Sequence, residues 1–382
     1  MVAGQSRNFT IDVLRGISIS VVLILHFHLS YSLIESPLGV VLPADAISAV
    51  ARNGNYGVTM FFVISGFLIT STTIRRYGSL ATVDVPGFYA FRFARIVPCL
   101  LLALVLIAGL GALGQPAFVN AAKPGWPEVS MPVAVLSVLT FWHNILMQYT
   151  WYFNYSMNVY WSLSVEEMFY LVFPFICIAT RRVGITVTIW MAAIAYGPVY
   201  RYYHSDNEIY FMYAYQACFD AIAFGCCAAL VARKISLKGM VGGVVRIAAA
   251  ILVGATHLAG IRGHEVFGFS LVAAGTAILL VGADSERVPA LLQRNRALAS
   301  LRWLGQRSYE LYLFHIIVLG LMRSIWPRGT LAYGDKAPAF VAFVGLSALA
   351  AWAVSRFYAE PLNAGLRAAF LRIRELAARQ AG

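Results

Sequence analysis

Charge is what this sequence lacks most. Of 382 residues only 12% are Asp, Glu, Lys or Arg, against 60% hydrophobic residues and a mean hydropathy of +0.72. A soluble domain carries roughly a quarter of its residues charged, so a soluble globular chain is excluded and a polytopic membrane protein is indicated. Cysteine is scarce too. Cys99, Cys177, Cys218, Cys226 and Cys227 lie in or beside apolar segments without metal-ligand spacing, which indicates neither a disulfide framework nor a zinc site. No polar stretch is long enough for a separate soluble domain, and no clear internal repeat of the inverted-transporter kind is visible. The first apolar segment has no small-residue cleavage site and is expected to remain as a span. Although the net charge is +12, the basic residues are scattered between apolar segments, so they read as topology determinants and not as a nucleic-acid surface.

What is present is an all-α pattern. Eleven apolar segments of roughly spanning length lie near residues 10–30, 56–74, 96–114, 131–147, 162–180, 183–200, 210–232, 245–261, 266–283, 308–326 and 338–358. If all crossed, Arg181, Arg182 and the cluster Arg233, Lys234, Lys238 and Arg246 would not share a side with both the Arg75–Arg95 loop and the C-terminal tail. The 131–147 segment is short and runs into the charge-free stretch MQYTWYFNYSMNVYW. It is therefore expected to be re-entrant or interfacial, leaving about ten transmembrane helices with both termini cytoplasmic. Basic residues then favour the inner side by roughly three to one, with Arg201 among the few placed outside. Residues 1–361 form the expected transmembrane domain, and 362–382 a basic amphipathic tail on the cytoplasmic membrane surface.

Within this frame the polar residues inside spans are the functional candidates, because ionisable groups are costly in hydrocarbon. The segment IDVLRGISISVVLILHFHLS carries Asp12, Arg15, His26 and His28. On a helix Arg15 and His26 differ by only about 20° of rotation and about 16 Å of rise. Asp12 shares their face and His28 does not. A hydrogen-bonded core histidine with Arg15 snorkelling at the membrane edge is the structural alternative. FYAFRFARIVP sets Arg92 and Arg95 one turn apart at the inner mouth of the third span, where paired guanidiniums suit phosphate oxygens or, equally, lipid headgroups. Together with the track toward His26, they suit a polyphosphate cofactor held inside whose reactive arm reaches into the bundle.

In VYWSLSVEEMFYLVFP, Glu166 and Glu167 follow Trp161 and Ser162. Neighbouring helix positions diverge by about 100°, so at most one of the two carboxylates faces a given cavity. Such a group orients a histidine or acts as an acid or base, or else both sit at the interface within an aromatic belt. Ser65–Gly66 in the second span permits close helix approach. The loop RYYHSDNEIYFMYAYQACFD suits a sugar or an interfacial belt. In the last motif, RSYELYLFHIIVLGLM, Tyr312 and His315 share a helix face.

Taken in order, RGISISVVLILH, FFVISGFLI, FRFARIVP, YWSLSVEEMFY and SYELYLFH resemble the type-3 acyltransferases, bacterial integral-membrane enzymes that O-acylate sugars and peptidoglycan. The resemblance implies that Arg15 and His26 are essential and that Arg92 and Arg95, with Arg15, bind the acyl-coenzyme A nucleotide. It makes Glu166 part of the catalytic motif, and Trp161, Ser162, Tyr309 and His315 contributors to substrate binding. Val13 stands where the family usually has Gly, and His28 is an extra histidine. The expected activity is transfer of an acyl group, acetyl foremost, from cytoplasmic acyl-CoA to a hydroxyl of an extracytoplasmic or membrane-presented carbohydrate or lipid-linked glycan. His26 acts as general base or takes the acyl group itself, and Glu166 acts from the outer side. No metal and no nucleic acid are expected, membrane lipids are the surroundings, and a multi-pass place in the bacterial inner membrane is implied. A non-enzymatic exporter or flippase, with the polar groups lining a substrate path, is the alternative from another class.

Overall fold

A computed structural model describes residues 8–283 and 290–381 and shows only helices among them, without strands. The remaining residues of the expected domain and tail lie outside the described residues. The helices that position the site are α1 (Phe9–Tyr31), α2 (Asn55–Tyr77), α3 (Val85–Ala112), α4 (Met131–Leu139) and α5 (His143–Thr150). After them come α6 (Trp161–Thr180), α7 (Val183–Tyr203), α8 (Tyr215–Ala232), α9 (Gly239–Ala259) and α10 (Gly268–Ala283). The chain ends with α11 (Arg296–Gln306), α12 (Ser308–Ile325), α13 (Lys336–Val354) and α14 (Glu360–Ala381). Among the described residues nine helical stretches are long and apolar enough to cross a membrane, and α10 is a shorter apolar helix. The chain is thus a multi-pass membrane protein with about the number of spans expected from hydropathy.

The 131–147 segment breaks into α4 and α5, nine and eight residues long, separated by Thr140–Trp142 with Phe141 at φ 65°. At 1.5 Å per residue each covers less than half of a ~30 Å hydrocarbon core. Neither crosses alone. The buried His143 fixes the pair: its ring bonds Ser137 Oγ at 2.7 Å, and its backbone N–H donates to Ser164 Oγ of α6 at 3.2 Å.

Two glycine-paved crossings set the helix frame. A Cβ on Gly66 would run into the Ile222 carbonyl and one on Gly225 into the Val63 carbonyl, so α2 and α8 meet backbone to backbone. Gly16 and Gly305 allow the same approach of α1 and α11, at the carbonyls of Leu301 and Asp12. Ser65–Gly66 is therefore a packing step at its glycine.

Arg201, placed outside as a topology determinant, is wholly buried. Its Nη2 donates to Asp220 Oδ2 at 2.7 Å and to Ser270 Oγ at 2.6 Å, and its Nε to the Val266 carbonyl at 2.9 Å. The reason is physical: a guanidinium drawn from water needs a carboxylate and spare acceptors, and α8 and α10 bring both to it. At the other end of the chain, α13 continues through a π-helical stretch, Ser355–Ala359, into α14. Helix α14 lies on α3, tied there by an ion pair of Arg374 with Asp84 and by Phe370 against Phe91 at 5.7 Å between ring centroids.

Candidate active site

Helices α1, α2, α3, α6, α12 and α14 surround a cleft that offers about 230 Å³ to water-sized groups. Its cationic lining is Arg15, Arg76, Arg92, Arg95 and Arg367, and its other polar lining includes Ser65, Ser162, Glu166, Tyr170, Ser308, Tyr309 and Tyr312. Of the residues singled out in the sequence, Arg15, Arg92, Arg95, Glu166, Ser162 and Tyr309 line the cleft, and Trp161, His26 and His315 stand outside its lining.

On α1, the Asn8 side chain caps the helix by accepting from the Ile11 N–H at 3.2 Å. One turn on, Asp12 Oδ2 accepts from Gln306 Nε2 at 3.0 Å and lies 3.7 Å from Arg302 Nε. Arg15 Nε donates to Ser308 Oγ at 3.0 Å, and His26 meets His315. The polar face of α1 is therefore turned along its length toward α11 and α12. His28 points elsewhere and serves locally, its Nδ1 accepting from the Leu33 N–H at 3.1 Å just past the helix end.

The two arginines of α3 part company. Arg92 is tied through two hydrogen bonds to Glu167, Nε to Oε2 at 3.3 Å and Nη2 to Oε1 at 3.2 Å, and lies over the Tyr170 ring at 3.0 Å from its centroid. Arg95 is exposed to the cleft and has no hydrogen-bond or ion-pair partner among the described residues. The adjacent glutamates diverge as helix geometry requires. Glu167 is buried on Arg92, and Glu166 faces the cleft, where Oε1 accepts from Ser65 Oγ and, at 3.1 Å, from the Tyr170 hydroxyl. Glu166 thus shares one cavity with the arginines.

At its inner end the cleft closes on Ser162 and Tyr312, whose hydroxyls are 2.6 Å apart, and on Phe61. The Tyr312 ring is 5.9 Å from the His315 ring, which in turn is 5.0 Å from that of His26. Hydrogen bonds assign the tautomers. His315 Nδ1 has only an acceptor in reach, the Leu311 carbonyl at 2.9 Å, and so carries the proton. Its Nε2 is then a bare acceptor, 3.2 Å from His26 Nδ1. His26 Nδ1 also has the Val22 carbonyl at 3.0 Å, so it carries the second proton and donates. His26 Nε2 is left with its lone pair free, the form a general base requires.

Tyr309 braces the site by donating to the Ile96 carbonyl at 2.8 Å. Trp161 is buried against Tyr213 at 4.4 Å and Phe62 at 5.9 Å and supports the wall from behind. The sequence gives no site role to Arg76, Arg367 or Ser308, and marks Ser65 only as a packing position. The first two look like ordinary inner-loop cations, and only their convergence in space sets them apart. Among the described residues no group of three His, Cys, Asp or Glu side chains is placed to hold a metal ion, and all five cysteines are free thiols.

The family model of type-3 acyltransferases, described as an acyltransferase domain, matches residues 8–356. Curated relatives include an O-acetyltransferase OatA of Staphylococcus aureus, 25% identical over 332 residues, covering 81% of this chain and 53% of that protein. A peptidoglycan O-acetyltransferase OatA of Listeria monocytogenes is 22% identical over 336 residues, covering 82% of this chain and 49% of its own length. The chain spans about half the length of these curated relatives. No solved structure gives a significant match.

Proposed function

Because this chain belongs to the type-3 acyltransferase family, we propose that it transfers an acyl group, acetyl foremost, from cytoplasmic acyl-CoA to a hydroxyl of a carbohydrate or lipid-linked glycan presented at the far side of the membrane. The observation that carries the reading is continuity: a cleft lined by five arginines runs inward to Ser162 and Tyr312, and the His315–His26 pair begins where it ends. The relatives named O-acetyltransferase support the acetyl group, and the one named for peptidoglycan supports a glycan acceptor.

The donor's phosphates lie among the cleft arginines, and its thioester extends toward the histidines. His26 Nε2 takes the proton from the acceptor hydroxyl as that oxygen attacks the thioester carbonyl. The carbon–sulfur bond then breaks, and the coenzyme leaves as a thiolate that accepts the proton back from His26. His315 acts through His26, by holding its Nδ1 proton. Arg15, fixed by Ser308, supplies positive charge between the phosphates and the reacting centre, and Glu166 fixes Ser65 and Tyr170 in the wall.

The test uses purified wild-type protein and His26→Ala in lipid nanodiscs with radiolabelled acetyl-CoA. Loss of transfer with retained acetyl-CoA binding is the expected result. A His26→Ala protein that still acetylates its acceptor sinks the assignment of the base.

A further inference from the structure

We infer that Arg76, Arg95 and Arg367 together form the phosphate-binding part of the cleft, with α14 as a working wall of the donor site. The ligand is the phosphorylated nucleotide end of the acyl donor. This rests on the donor reading above and goes beyond it, since Arg367 lies past residue 356, the last that the family model matches.

Of the five cleft arginines, Arg92 is occupied by Glu167 through two hydrogen bonds, and Arg15 is held by Ser308. The remaining three, Arg76, Arg95 and Arg367, have no carboxylate partner among the described residues, and their charges act on one another unfavourably. The cleft's own Glu166, held by the neutral hydroxyls of Ser65 and Tyr170, sets its negative charge beside Arg15 and Arg92, the two arginines already engaged. Three converging cations with no carboxylate at ion-pair distance, Arg95 feeling Glu167 and Glu310 only at longer range, make a site for a multiply charged anion.

Geometry points the same way. The Arg76 and Arg367 guanidiniums lie against the Phe91 ring, at 4.2 and 5.4 Å from its centroid. A cation held over a ring in this way spends no N–H group on a hydrogen bond, so its donors stay available for oxygens. The Arg367 Nε is buried without a hydrogen-bond partner, as expected of a donor kept for a ligand. Contacts other than Arg367 dock α14, namely Arg374 on Asp84 and Phe370 on Phe91. The assignment also takes Arg92 out of phosphate binding, because its fork already holds a carboxylate.

The experiment titrates full-length protein in nanodiscs with coenzyme A and with pantetheine, which lacks the nucleotide phosphates. Arg76→Gln and Arg367→Gln are each expected to lower coenzyme A affinity by about tenfold, the size of one charge-assisted hydrogen bond. The preference for coenzyme A over pantetheine should shrink by the same factor. If both variants bind coenzyme A within about twofold of a wild type that discriminates it from pantetheine, the phosphate site is wrong and the donor reading stands. If the wild type binds no coenzyme A, both fall. An effect seen only in phosphatidylglycerol nanodiscs, and absent in phosphatidylcholine, assigns the arginines to lipid headgroups and overturns the inference. Should a Gln variant fail to fold, the wild type decides the matter: coenzyme A affinity indifferent to added salt rules out the three-cation site.

Discussion

Replacing His315 by leucine separates a residue that positions the base from one that performs chemistry. The His26 Nδ1 proton faces two acceptors, the Val22 carbonyl at 3.0 Å and His315 Nε2 at 3.2 Å. His315→Leu removes the second and keeps the first, so the productive tautomer survives with one hydrogen bond fewer. The substitution strands no donor or acceptor, because the Leu311 carbonyl bonded by His315 lies within α12 and keeps its helical partner. A neutral hydrogen bond contributes about 0.5–1.5 kcal/mol, which corresponds to a rate loss of about two- to twelvefold at 1.36 kcal/mol per decade. The measurement is acetyl transfer by wild type, His315→Leu, His315→Gln and His26→Ala at matched amounts of folded protein. His315→Gln restores an acceptor and should recover much of the loss, which a merely space-filling residue would not require. If His315→Leu is as inactive as His26→Ala, His315 itself handles the proton or the acyl group, and the positioning argument fails.

Two further predictions concern the buried ion pairs. Glu167→Gln leaves Arg92 a neutral partner in place of a carboxylate, and since the Arg92 side chain keeps 22% of its exposure the cost should be about 2 kcal/mol, below the ~3–5 kcal/mol of a fully buried pair. A lowered melting temperature with coenzyme A affinity intact is expected; loss of affinity without loss of stability would return Arg92 to the phosphate site. Asp220→Asn strands the wholly buried Arg201 and should cost about 3–5 kcal/mol, read as a sharp fall in the fraction of protein that elutes monodisperse in detergent. An unchanged melting profile would mean that Ser270 and the backbone carbonyls suffice for Arg201.

Much of this molecule can be read from one-dimensional pattern, and the failures share a cause. Hydropathy delimits the spans because each must be long and apolar on its own, and helical periodicity suffices to set Asp12, Arg15 and His26 on one face of α1. The same periodicity separates Glu166 from Glu167. What pattern does not encode is who meets whom. His26 and His315 each stand out in the sequence, yet their contact joins residues 289 positions apart. Arg92 and Arg95, alike by spacing, differ because only one meets Glu167. The partners of Arg201 are equally hidden, because a charge between two apolar runs looks like a loop residue until a carboxylate on another helix is seen beside it. The break at Phe141 has no glycine or proline to announce it.

The glycine crossings also give the cleft a handedness of stiffness. Helices α1 and α2 are clamped where backbone meets backbone, at Gly16, Gly305, Gly66 and Gly225, and such contacts leave no side chain to rotate out of the way. The flank formed by α3 and α14 is joined through side chains: an ion pair at Arg374 and rings at Phe91 and Phe370. A guest longer or bulkier than the resting cleft therefore finds more give along α3 and α14 than along α1 and α2. Redesign for a different donor has its room for change on the α3 and α14 flank, and the α1 and α2 flank is the fixed jaw against which any such guest is gauged.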